Sequence, residues 1–287
     1  MRVFDETPGE PEVPLPGGDV TEGVVRVGGT VRRPPTPFTP AIRALLAHLE
    51  AAGFEGAPRP LGVDAAGREV LTYLPGLVPP RPLPGWAAAD RVLAGVARLQ
   101  RRYHDAAASF VPPPGAVWDD PPDPPELTPM NITPELGACG GSMVIGHCDV
   151  TPDNVVFRDG PDGPEPYGLI DFDLAKPTSR LLDIVTTLRH WAPLSDPADR
   201  VPSLAGVDAG RRARVFCDAY GLDAAGRGAL LDLADARLER SCYLMRARAT
   251  ELGGGWARMW DKGVGDRIQR AHAWLRRERA ALDESLR

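Results

Sequence analysis

The stretch that most restricts what this chain can fold into runs from Val144 to Pro177, VIGHCDVTPDNVVFRDGPDGPEPYGLIDFDLAKP. VVFR and YGLI within it read as strands, because β-branched and aromatic residues suit a pleated, half-buried surface. Between them DGPDGPEP gathers the residue types that reverse a chain. The midpoint between Asn154 and Asp171 falls inside that turn, so a hairpin closing there, with a residue or so of register slip, sets the two opposite each other at its open end. An amide oxygen beside a carboxylate is a hard donor pair suited to Mg²⁺, which binds through oxygen and keeps several waters. Asp149 lies on the loop that enters the hairpin, where it can accept a proton from a hydroxyl near such a metal. Metal, positioned phosphate and oriented nucleophile are the parts that phosphoryl transfer needs. Any one of these three side chains alone would read as an ordinary turn residue; the combination carries the reading.

The rest of the chain is organised around this hairpin. Residues 1–18 are acidic and rich in Pro and Gly and predict a flexible N-terminal arm. GVVRVGG and TVRRP predict a hairpin turning at Gly29, TPAIRALLAHLEAAG a helix, and RPLGVD with REVLTYL two more strands. The Pro-rich breaker LPGLVPPRPLPG ends that unit, and mainly helical periodicity follows: 86–107, 180–191, 208–220, 222–250 and 265–285. The fold class is therefore α+β and bilobal, with a β-rich lobe over 19–76, a larger and mainly helical lobe over 77–287, and a ligand cleft between them. Trp256 and Trp260, at helical spacing, are expected in the core, and His104 with Asp105 at a packed helix end.

His147, Asp149 and Asn154 in H-x-D-x-x-x-x-N, followed by Asp171-Phe172-Asp173, resemble the core of the aminoglycoside phosphotransferase family, relatives of the protein kinases. The resemblance spans most of the chain and is sharp over 143–195. It implies a protein-kinase-like fold and transfer of the γ-phosphoryl group of ATP, or another nucleoside triphosphate, to the hydroxyl of a small molecule. It assigns the base to Asp149, the loop-holding role to His147 and the Mg²⁺ ligands to Asn154 and Asp171. Adenine would meet the backbone around Leu71, Tyr73 and Leu74. Asp183 would anchor backbone, and Asp173 would bind either metal or nearby backbone. Cys148 stands where the family usually has Gly.

One departure follows from composition. Of 33 basic residues only Lys176 and Lys262 are lysines, so the β-rich lobe has none to hold phosphate as kinases do. Arg33 is the replacement the strand alternation favours, since arginine grips phosphate oxygens with two parallel bonds. Arg32 would then face solvent, and Glu50, near the helix C-terminus, is a poor acidic partner. Gly17, Gly18 and Gly23 are the candidates for a phosphate-covering loop. A net charge of −6 argues against a nucleic-acid partner, and neither an 18-residue apolar run nor an export signal is present. With four cysteines and no C-x-x-C pair, a reducing cytoplasm is expected, and with no sequence signal for assembly a monomer is the default expectation. Two other readings stay open: a non-catalytic kinase-like nucleotide- or ligand-binding protein, and a metal-dependent hydrolase.

Overall fold

Val13–Pro14 (β1), Val25–Val27 (β2) and Thr30–Arg33 (β3) begin an antiparallel sheet that Pro60–Val63 (β4) and Glu69–Thr72 (β5) complete, in the order β1-β2-β3-β5-β4. The computed structural model describes residues 4, 10–15, 23–120 and 143–287. The β2–β3 hairpin turns at Gly28–Gly29 with Val27 opposite Thr30. Where composition predicts an arm, Val13 instead pairs with Arg26 at the sheet edge, a register that the Pro-rich sequence around it conceals.

Between β3 and β4 lies Thr39–Ala51 (α1), with Pro in its first turn and Ile42, Leu45, Leu46 and Leu49 as its buried stripe. That spacing is the period of one helix face, and burying each such side chain contributes about 1.5–3 kcal/mol. A connector then leaves β5, and Leu77 exchanges both backbone hydrogen bonds with Phe157 at 2.8 Å. Ala89 is extended, so the helix expected from Trp86 is a short 3₁₀ turn, Gly85–Ala88, followed by Asp90–Ala107 (α2).

Residues 144–178 supply two small antiparallel pairs. Val144–Gly146 (β6) pairs with Lys176–Thr178 (β9), and Val155–Arg158 (β7) with Glu165–Leu169 (β8). Helices Arg180–Trp191 (α3), Ala209–Tyr220 (α4), Ala224–Glu251 (α5), Gly254–Asp261 (α6) and Val264–Leu286 (α7) follow. Ser179, Asp208 and Asp223 cap α3, α4 and α5 by accepting from N–H groups of the first turn. One apolar core runs through the molecule, from Leu45 and Leu49 through Val96, Phe157 and Leu169 to Trp191, Phe216 and Leu230. Trp256 and Trp260 are half-buried rather than core, and Trp256 lies under the Arg248 guanidinium at 4.5 Å. Among the described residues, no helix is long and apolar enough to cross a membrane.

Candidate active site

Two loops meet at the open end of the β7–β8 hairpin: residues 147–154, between β6 and β7, and residues 170–175, between β8 and β9. The ladder places Val155 opposite Leu169, and Ile170 N–H donates to the Asn154 carbonyl at 3.0 Å. Asn154 thus faces Ile170, one residue from Asp171. A bulge between Val156 and Phe157 accounts for the slip in register. His147 is fully buried, and its Nε2 donates to the Ile170 carbonyl at 3.0 Å, tying the first loop to the second. Burial holds its imidazole pKa below the ordinary value.

Asn154 Nδ2 donates to the Asp149 carboxylate at 2.7 Å and to the Asp149 carbonyl at 3.0 Å. With the amide nitrogen so engaged, the side-chain oxygen is the atom left to accept or to ligate. The Asp149 carboxyl is pushed up to about 7, by burial first and then by the charge of Asp171; the Asn154 bond partly opposes the shift. Asp171 is also raised, by burial and by the neighbouring Asp173 charge, although 41% of its side chain is open to solvent. Crowded carboxylates that resist ionisation call for a cation. Among the described residues no three His, Cys, Asp or Glu side chains form a metal cage. The site instead offers one carboxylate and one amide oxygen, a donor set that suits Mg²⁺ shared with phosphate oxygens.

Arg33 reaches this site from β3. Its guanidinium pairs with Asp173, lies 4.0 Å from Asp171 and stands 3.4 Å from Glu69. Asp173 thus gives one carboxylate oxygen to Arg33, a partner that the sequence reading did not name. Glu69, directly across the ladder from Arg33 and 1% exposed, is the acidic partner missing from α1. Arg43 of α1 approaches its other oxygen at 3.7 Å. A lone acid beside the apolar pair Val70-Leu71 in the strand REVLTYL was the available signal. Glu50 is at the surface, 3.7 Å from Arg59. Arg32 is buried rather than solvated: Phe4 covers it at 4.9 Å and Asp64 lies 3.8 Å away.

Leu71, Tyr73 and Leu74 lie outside this cluster. Leu71 is in the ladder between β3 and β4, and Tyr73 N–H donates to Gly29, so their backbone serves the sheet. Leu74 follows the last of these bonds, and beyond it Pro75 accepts from the Tyr167 hydroxyl and Leu77 pairs with Phe157. Gly17 and Gly18 fall outside the described residues; Gly23 has φ +79°.

Asp183 holds the first loop from below. One oxygen accepts from Cys148 N–H at 2.7 Å, and the other from His147 N–H at 3.1 Å and His104 Nε2 at 2.8 Å. Burial opposes its charge, but the His104 hydrogen bond and charge prevail, and its pKa lies below the usual carboxylate range. Gly146 makes room for it, since a Cβ there would sit 3.1 Å from the carboxylate carbon and 2.4 Å from Thr178. Cys148 adopts φ 60°, the left-handed conformation that glycine takes without penalty. Cys148→Gly is expected to raise stability by about 1 kcal/mol without loss of activity. Urea denaturation checks this, and a lower midpoint would show that the side chain contributes more than the backbone strain removes.

The phosphotransferase enzyme family model matches residues 131–216, which include both loops and α3. A trifolitoxin immunity protein from Rhizobium leguminosarum bv. trifolii is 32% identical over 286 residues, 96% of this chain and 98% of that protein. The GDP complex of wild-type aminoglycoside 2′-phosphotransferase-IIIa shares the fold at TM-score 0.56 and 14% identity, covering 95% of this chain and 93% of the other. A choline/ethanolamine kinase family protein from Mesorhizobium loti does so at TM-score 0.51 and 16% identity, over 93% and 92%. These likenesses confirm the kinase-like α+β fold expected from the motifs. By its full-length relative and its matched core, the chain belongs to the phosphotransferase enzyme family.

Proposed function

We propose that this protein is an ATP-dependent phosphotransferase that acts on the hydroxyl group of a small molecule. The observation that carries the reading is the Asp149 carboxylate, held by Asn154 at 2.7 Å and poised near neutrality beside Asp171. A base with a pKa near the working pH combines the right protonation state with a useful affinity for the proton. Asp149 orients the acceptor hydroxyl and takes its proton as the oxygen bonds to the γ-phosphorus of ATP, while the bond to the β-phosphate oxygen breaks and ADP leaves. Asn154 fixes the Asp149 carboxylate, and His147 fixes the loop that bears it. Mg²⁺ held by Asn154 and Asp171 would supply shielding of phosphate charge. Arg33, beside Asp171 and locked between Glu69 and Asp173, presents guanidinium N–H groups to the same phosphates. Residues 19–76 form the nucleotide-binding lobe and 77–287 the catalytic and acceptor-binding lobe.

The 32% identical relative suggests the role: a transferred phosphate would inactivate a toxin, and so confer immunity. A second reading is favoured by the Arg33–Asp173 ion pair, which occupies the guanidinium that would grip phosphate. In that case the protein binds its ligand without turnover. Arg33→Ala separates the two. The enzyme reading predicts that nucleotide binds about 10-fold or more weakly by calorimetry, the loss of one charge-assisted phosphate contact. Unchanged affinity would remove Arg33 from the nucleotide site.

A further inference from the structure

Arg237 approaches Asp149 from the helical lobe closely enough for the two charges to attract, and beyond Asp149 nothing described offsets the positive charge that Arg189 and Arg237 gather there. α3 and α5 pack together there, and Trp191 at the end of α3 donates its indole N–H to the Val150 carbonyl at 2.8 Å, fastening that helix end beside the Asp149 loop. Arg189 and His190 occupy the same last turn of α3, half-buried, and Arg237 lies half-buried on α5. Neither arginine forms an ion pair with a described carboxylate; Arg237 donates only to Ser241 and Arg189 has no hydrogen bond among the described residues.

The nearby acids are already engaged. Asp153 is held bidentately by Arg81 at 2.8–2.9 Å, and Asp119 by Arg248 at 2.9 Å. Arg267, the third cation facing Arg189, donates to the Lys262 carbonyl. This is unusual for the chain, in which most partly buried arginines meet Asp or Glu: Arg33, Arg68, Arg180, Arg212 and Arg227 all do. The field is felt by its members. Burial, then Arg237 and Arg267, push Arg189 down to about 10, and burial with Arg189 pushes His190 down to about 3. Two half-buried cations that share at most one carboxylate are costly, and a protein retains them where a ligand supplies further negative charge.

We propose that Arg189 and Arg237 bind an anionic group of the acceptor, a carboxylate or phosphate on the molecule whose hydroxyl faces Asp149. This inference rests on the phosphotransferase reading for the hydroxyl but not for the anion. It separates this site from acceptors such as choline or streptomycin, which are cations and would be repelled here.

The test compares melting of the wild type, Arg189→Met, Arg237→Met, the double variant and Arg33→Ala, in chloride and in sulfate at matched ionic strength, without nucleotide. In chloride, the double variant is expected to melt above the wild type, because an unpaired charge has been removed. Sulfate stabilises all proteins somewhat by exclusion from their surface. Its increment should be larger in the wild type and fall by about half or more in each single variant, as for a bound ion. Glycerate and glycerol 3-phosphate in place of sulfate distinguish a carboxylate from a phosphate preference. Equal sulfate increments in all variants would overturn the proposal. So would loss of the whole increment in Arg33→Ala, or a double variant that melts below the wild type. Because ATP is absent, failure of phosphoryl transfer would leave these outcomes untouched.

Discussion

Asp149→Asn is expected to lower turnover by on the order of 10²–10⁴-fold, the contribution of a positioned general base. The substitution is nearly isosteric, and the new amide oxygen can still accept from Asn154 Nδ2, so the loop should keep its shape. Nucleotide affinity should hold or improve, since one negative charge leaves a site where the Asp171 charge already raises the Asp149 pKa. The pH profile carries a second signature. A carboxyl raised to about 7 is protonated below that pH and cannot accept a proton, so kcat/KM for the nucleotide should climb with pH and level off above about 7. In Asp149→Asn that limb should vanish. A wild-type profile flat from about pH 5 to about pH 9, roughly two units either side of that value, would remove Asp149 as the base.

The second large effect is on stability. Asp183→Ala should destabilise the fold by roughly 3–5 kcal/mol, the range for breaking a buried, charge-assisted network. The reason is the number of donors it would orphan: His147 N–H, Cys148 N–H and His104 Nε2, all deep in the molecule. Asp183→Asn should recover only part of this, because its amide nitrogen would face donors where the carboxylate faced them with oxygen. Against a total stability of about 5–15 kcal/mol, such a loss is large. Urea denaturation by circular dichroism reads it directly, and a change under about 1 kcal/mol would mean that the loop does not depend on this anchor.

Much of the site was legible because its chemistry is local. His147, Asp149, Asn154 and Asp171 lie within one hairpin and its flanks, and a hairpin's register follows from where its turn residues fall. The arginine on β3 was legible from alternation along a strand, and Arg33 does reach the Asp171 turn. What alternation could not show was Arg32, which is buried too, because Phe4, bonded through its N–H to the Val63 carbonyl, covers it. Glu69 was missed for a related reason. Its pairing with Arg33 is set by β5 entering the sheet between β3 and β4, a strand order that no local pattern encodes. His104 reaches Asp183 from a helix that precedes it by most of a lobe, and Arg237 of α5 comes close enough to Asp149 for their charges to interact. Such contacts are products of helix packing, and the sequence spacing that separates them carries no trace of it.

The most direct test of this account is phosphorus NMR of the protein incubated with Mg·ATP and a panel of hydroxyl compounds, anionic, neutral and cationic. A phosphotransferase with Asp149 as its base predicts a new phosphomonoester resonance that grows in step with ADP and is absent with Asp149→Asn. Free phosphate as the only product, or no ADP at all while nucleotide binds, would contradict it.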